Sequence, residues 1–356
     1  MKYISFSKLL LLGFSFVFML ASCTKEGPAG ADGADGQDGT NGINGTNGTN
    51  GVDGTAFCME CHSATVVDNL TAEWTVSGHG SGSSLGRGTR SGCSQCHSGV
   101  GFVASLSGSE DLSGSSIKCS SCHTHGEPPV FQDEDGNPVF VRTKDAVALM
   151  IDPSTIIDLE SAANLCVNCH QPRTAAPVDE DQYDEDDVII DPAGDGMYTI
   201  TSSHYGPHHS PQSALLEGWG GYEFPGSVTY PGTKAHPHRK SADCIKCHMH
   251  EKNHKFTIPE VTACASCHGD IDDYNVNGKV TEIHGLIEEL AGLLEEEGIL
   301  HDGHVVTGTY PIKLAAAFFN YAIIEEDQSE GVHNPIYVEA LLTNTIEALQ
   351  VDLAGN

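Results

Sequence analysis

Apolar positions recur with helical spacing towards the C-terminus. Ile283, Leu286, Ile287, Leu290, Leu293 and Leu294 fall at i, i+3, i+4, i+7, i+10 and i+11, and Gly298 follows as a stop. Ile312 to Ile324 is a second apolar stretch of helical length. Asn334 and Pro335 read as an N-cap and a first helical residue, after which Val338, Leu341, Leu342 and Leu349 give one apolar face. Upstream the periodicity fades. Ser77–Ser91 is rich in Gly and Ser and reads as loop, and Pro129–Thr143 reads as a short hairpin around Asp135-Gly136. The pattern predicts a mainly α fold with extensive loops and little β, its helical part in residues 269–356.

The first 22 residues carry a different signal. Lys2 and Lys8 precede an apolar stretch, Leu9 to Ala21, that is short for a membrane span. This reads as an export signal. Leu20-Ala21-Ser22-Cys23 resembles the bacterial lipoprotein cleavage box, in which the Cys is lipidated; an ordinary secretory signal beside a chance Cys is the alternative. The expectation is an anchored, exported protein with a short anchored N-terminus at 23–26. It would be an outer-membrane lipoprotein on the periplasmic or cell-surface face.

From Gly27 to Gly54 glycine stands at every third position, with Pro28 the one proline among the fillers. The period is that of a collagen triple helix, but the proline supply is low for one. Residues 27–55 therefore read as a polar tether, of roughly 30 Å as a coil and under about 90 Å as a rod. The triple-helical alternative would make the protein a trimer.

Composition adds a problem. The chain has 356 residues, a formal net charge of −32 and 39% hydrophobic residues. Its acidity argues against nucleic acid and anionic lipid surfaces as partners. The apolar fraction is low for this length. Either the fold is loop-rich, or something besides side chains supplies core volume.

The cysteines point to what that is. Cys58, Cys61 and His62 form a C-x-x-C-H motif. It recurs at Cys93, Cys96 and His97; at Cys119, Cys122 and His123; at Cys166, Cys169 and His170; at Cys244, Cys247 and His248; and at Cys264, Cys267 and His268. Composition alone predicts roughly 0.03 copies. Twelve of the 13 Cys are used, Cys23 being the other, so none is left for disulfides. Two thiols three residues apart can each add across a haem vinyl group, and the next residue supplies the proximal imidazole. Zinc ribbons pair C-x-x-C units without placing His after each. The expectation is six covalent haems c packed in one domain over residues 56–356, their apolar faces standing in for missing side chains.

The sixth position of each iron decides the function. Two imidazoles close a haem for electron transfer, whereas an open position allows substrate chemistry. Thirteen His lie outside the motifs. Trp74-Thr75-Val76-Ser77-Gly78-His79 resembles the W-x-x-S-x-H of multihaem c-type cytochromes related to hydroxylamine oxidoreductase and pentahaem nitrite reductase. His208-His209-Ser210-Pro211-Gln212, followed by Leu215-Leu216-Glu217-Gly218, is similar to their H-H-G-P-Q…L-L-x-G, with Ser210 where Gly is usual. Asn253-His254-Lys255-Phe256 resembles G-H-T-F, and Asp327 to Pro335 resembles D-x-S-x-G-V-H-N-P. The resemblance spans roughly residues 56–350. It implies His79, His209, His254 and His333 as distal ligands; His125 and His238 complete six, with His208 and His236 as rivals.

The same resemblance bears on activity. The family's reductases carry C-x-x-C-K at the catalytic haem, and this chain has no such motif. That favours an electron carrier working with redox partner proteins or an extracellular acceptor or donor. The alternative is a multihaem reductase or oxidase of small nitrogen or sulfur compounds with one open haem. Seven of the nine residues in Asp179–Asp187 are acidic. They read as a solvated loop, with calcium or a basic redox partner as sharper alternatives.

Overall fold

The computed structural model describes residues 59, 62–82, 84–124, 131–132, 138–177, 196–257 and 260–355. The signal, Cys23, the glycine repeat, Cys58, Cys61, His125, the Asp135-Gly136 turn and the acidic run lie outside the described residues.

The described chain is mainly α with extensive loops, as its periodicity predicts. Helix α1 (Ala64–Val76) begins at Ser63, whose Oγ accepts from Val66 N at 3.4 Å. Several short helices follow, among them α2 (Gln212–Glu217) and α3 (Pro237–Ser241). The last third holds the long ones: α4 (Lys279–Glu296), α5 (Ile312–Asp327) and α6 (Pro335–Gly355). Asn334 caps α6 through its Oδ1, which accepts from Tyr337 N at 3.2 Å, and Pro335 takes the first position, where no N–H is needed.

Strands among the described residues form four two-stranded antiparallel pairs. Phe131–Gln132 pairs with Pro138–Val139, the expected hairpin. Val147–Ala148 pairs with Ile156–Ile157, and Leu300–His301 with His304–Val305. Met197–Ile200 pairs with Gly308–Pro311 and so fastens the middle of the chain to the entry of α5.

The apolar core sits in the C-terminal helices. Ile283, Ile287, Leu290 and Leu294 on α4 pack with Phe319 and Ile323 on α5 and with Tyr337, Leu341 and Leu342 on α6. Buried Asn320 bonds both backbone groups of Tyr222, donating to its carbonyl at 2.8 Å and accepting from its N–H at 2.7 Å. This ties the segment after α2 to the helices. A smaller cluster gathers Val147, Leu149, Ile157, Leu159, Val167 and Leu216. Between residues 62 and 124, by contrast, Phe102 is the one buried apolar side chain among those described, and α1 buries none.

One expectation needs correction. Ser77–Ser91 is not plain loop: Gly78–Ser81 is a helical turn and Ser84–Thr89 a 3₁₀ segment. Ser77 is the cause. Its Oγ donates to Trp74 O at 2.6 Å, closing α1, and accepts from Gly80 N at 3.1 Å, opening the next turn. A side chain at Gly80 would stand 2.2 Å from Trp74 O, so glycine is required there.

Candidate metal centres

Each described motif is wound as a helical turn. His97 N donates to Cys93 O at 3.0 Å, His123 N to Cys119 O at 2.8 Å and His170 N to Cys166 O at 2.9 Å. Positions i and i+4 of a turn share a face, so the first Cys and the His emerge on the same side. Asp243 starts the fifth motif by accepting from Ile245 N and Lys246 N at 3.1 Å each. None of the ten described motif cysteines is in a disulfide.

The imidazoles are paired across long stretches of sequence. His97 faces His208 with ring centres 6.1 Å apart. His123 faces His254 at 6.1 Å, and His170 faces His79 at 6.1 Å. His248 faces His333 at 6.2 Å, and His268 faces His238 at 6.0 Å. Every pair joins one motif His to one His outside the motifs. The spacing has a simple origin in coordination geometry. A metal held between two imidazole nitrogens at about 2 Å, each ring centre about 1.1 Å further back, separates the centres by about 6 Å. The five pairs are numbered here by motif as sites 2 to 6.

The other ring nitrogen is held at most of these residues. His123 Nδ1 donates to Phe140 O at 3.0 Å, and His254 Nδ1 to Lys252 O at 3.0 Å. His170 Nδ1 donates to Gln212 Oε1 at 3.0 Å, and His208 Nδ1 to His209 O at 3.2 Å. His248 Nδ1 donates to Thr257 O at 2.9 Å, and His238 Nδ1 to Val332 O at 2.7 Å. His333 Nδ1 donates to Asp327 Oδ1 at 2.7 Å. A proton fixed on Nδ1 leaves Nε2 as the free lone pair, the tautomer that ligates metal.

Burial favours the neutral imidazole at five of the paired histidines. Burial, then the adjacent His170 ring, pull His79 down to about 4. Burial likewise lowers His97, His170, His238 and His248. At His333 burial acts in the same direction, but the Asp327 carboxylate outweighs it and the net direction is up. Burial pushes the Cys122 and Cys247 thiols up to about 11. Among the described residues no three His, Cys, Asp or Glu side chains converge on one point. The donor set fits a group that brings its own equatorial ligands and asks the protein for two axial imidazoles.

The sites are close to one another. The Cys96 and Cys169 thiols lie within electrostatic reach of each other, as do those of Cys166 and Cys244. Cys247 lies within electrostatic reach of Cys264 and Cys267. Sites 2, 4, 5 and 6 thus form a row linked by their cysteines. A small cavity is lined by Cys96, His97, Cys169, His170, Arg173, His208, His209 and Ser210.

Sequence and structure differ at the H-H-S-P-Q segment. The ring opposite His97 belongs to His208. His209, the residue carried by the resemblance, turns away and bonds Glu326 at 2.6 Å with its side chain mostly exposed. The cause is local, since His208 and Ser210 both take positive φ, +71° and +77°, which rotates the successive side chains. His236 accepts from His238 N through Nδ1 at 3.3 Å and caps α3. His79, His238, His254 and His333 each stand opposite a motif His. His62 is described, but His125 and both cysteines of the first motif lie outside the described residues.

Phe256 closes the Asn253-His254-Lys255-Phe256 motif, but its contacts are not visible in the sequence. Its ring lies 4.9 Å from His79 and 5.7 Å from His254, edge-on to both, and so spans sites 4 and 3. Gln212 and Glu217 also belong to a segment that carries the resemblance, and the structure adds what they bond. Gln212 bonds His170 while donating to Asp327 O at 3.2 Å. Glu217 is buried against Arg239 Nε at 2.9 Å, which locks α2 to the helix that carries His238.

Comparison with known proteins gives two structural likenesses. The outer cell wall cytochrome OcwA aligns with a TM-score of 0.49 at 20% identity, over 79% of this chain and 50% of that one. The undecahaem cytochrome from the S-layer of Carboxydothermus ferrireducens aligns with a TM-score of 0.38 at 17% identity, over 85% of this chain and 39% of that one. The chain therefore spans half the length of the first and less of the second. No family model and no curated protein matches it. Among the described residues no helix is long and apolar enough to cross a membrane.

Proposed function

We propose that the chain is an exported hexahaem c-type cytochrome whose function is electron transfer. The observation that carries the reading is the set of five His–His pairs at 6.0–6.2 Å, each holding one C-x-x-C-H histidine. Held by such a pair, haem iron would supply a one-electron ferric/ferrous couple.

The residues divide the work. Cys93 and Cys96, Cys119 and Cys122, Cys166 and Cys169, Cys244 and Cys247, and Cys264 and Cys267 attach the groups; Cys58 and Cys61 do so at the first motif. His97, His123, His170, His248 and His268 are the proximal ligands of sites 2 to 6. His208, His254, His79, His333 and His238 are the distal ones in that order. His62 is the proximal ligand at the first motif, and the sequence offers His125 as a further distal ligand. Two imidazoles at each described site favour a carrier over a reductase. The sequence supports lipid anchoring at Cys23, a glycine-repeat tether and placement at the outer membrane, and from these follows exchange with redox partners or an external acceptor.

Spin state tests the assignment. Replacing His208 with Ala should convert one haem to the high-spin ferric form, while His209→Ala should leave every haem low-spin. Electron paramagnetic resonance of the oxidised variants reads both. The reverse pattern would return the distal role to His209, and high-spin iron in the unaltered protein would favour the enzyme.

A further inference from the structure

We propose that Asp327 makes site 5, the His248–His333 pair, the most reducing of the five described sites by accepting the Nδ1 proton of His333. This inference rests on the coordination reading above. The His333 Nδ1 to Asp327 Oδ1 distance is 2.7 Å, and the Asp327 side chain is 1% exposed. At the other sites, each Nδ1 bond among the described residues ends on a backbone carbonyl or on the Gln212 amide, all neutral. Site 5 therefore differs in that a carboxylate stands one hydrogen bond from its ligand.

The direction of the effect follows from charge. Ferric haem carries one more positive charge than ferrous haem. A carboxylate that draws on the Nδ1 proton raises the basicity of Nε2 and stabilises the more positive iron. Water does not screen a group this buried, so the interaction keeps its strength. Asp327 also acts on His248 across the same site.

The structure holds that carboxylate in place. Asp327 ends α5, and its carbonyl accepts from Gln212 Nε2 at 3.2 Å. The Ser329 hydroxyl donates to its second oxygen, Oδ2, and Ser329 Oγ accepts from His333 N at 3.3 Å. The neighbouring Glu326 does nothing equivalent, because its partner His209 is exposed and faces no motif His. Site 5 also stands inside the row, its Cys244 against Cys166 of site 4 and its Cys247 near Cys264 of site 6. The most reducing position thus falls between neighbours rather than at an end.

The test is a spectroscopic redox titration of the matured protein, with the haem count taken from the mass of the denatured chain. Asp327→Asn keeps an acceptor for His333 and removes the charge. The expected result is an unchanged haem count, an upward shift of the lowest midpoint potential and a change in one low-spin resonance; a shift confined to a higher component would overturn the ranking. Ser329→Ala removes the donor that competes for the carboxylate and should move the same component down, which keeps the proposal testable if the first variant folds poorly. Unmoved potentials in both variants at full haem count, or a downward shift in Asp327→Asn, would overturn the role of Asp327 while leaving the coordination reading intact. An unaltered protein without covalent haem would overturn both.

Discussion

Ser210 stands at φ +77°, a conformation in which a side chain is strained and glycine is not. The sequence shows Ser there as a departure from a familiar Gly, and the backbone explains why the departure matters. Ser210→Gly should raise stability by up to about 1 kcal/mol, read as a higher denaturant midpoint with the low-spin spectrum unchanged; an unchanged or lower midpoint would refute the strain. Gly331 is the opposite case. It lies at φ +83°, and a Cβ there would sit 2.4 Å from Ile283 Cδ1, so Gly331→Ala should cost about 2 kcal/mol or more. Equilibrium unfolding checks it, and a loss well under 1 kcal/mol would mean that Ile283 yields easily. His79, His254 and His333, each of which stands opposite a motif imidazole, could be singled out in the sequence because each lies in a segment that resembles a known motif. The choice between His208 and His209 was not, because it turns on two positive φ angles that sequence does not encode in a Ser or a His.

At the scale of elements, the turn from α5 into α6 organises three sites at once. Asp327 holds His333 of site 5, Val332 O holds His238 of site 6, and the Glu326 and Asp327 carbonyls hold Gln212, which holds His170 of site 4. The amphipathic spacing of α4 to α6 made these helices visible, since a buried face needs apolar residues every three or four positions. What they touch was not visible. His79 meets a ring 91 positions later, and only tertiary packing creates that contact. The turns after Ser77 were obscured for another reason: Gly and Ser carry no hydrophobic period, and it is a cap that winds them. Ser77→Ala should cost about 1 kcal/mol and loosen His79. Thermal melts should register the loss. A broadened low-spin resonance should accompany it, and a variant matching the parent in both would show that His79 is held by other contacts.

For the whole molecule, the contrast between its ends is informative. Residues 283–349 pack a core of aliphatic and aromatic side chains, whereas residues 62–124 bury Phe102 and little else that is apolar among the described positions. The low apolar content of the sequence foreshadowed this, but composition did not say where the shortfall lay. If haem faces supply the missing area, the haem-free polypeptide should be uneven. Hydrogen exchange on protein matured without haem should find α4, α5 and α6 protected and residues 62–124 open. Equal protection throughout would mean that the N-terminal part is built without the cofactor.

The account depends first on covalent attachment, and mass spectrometry of the purified, denatured, matured protein reads it most directly. Six haems should remain on the chain in denaturant, in addition to any lipid on Cys23. A mass equal to the polypeptide alone, or to polypeptide plus lipid, would contradict it.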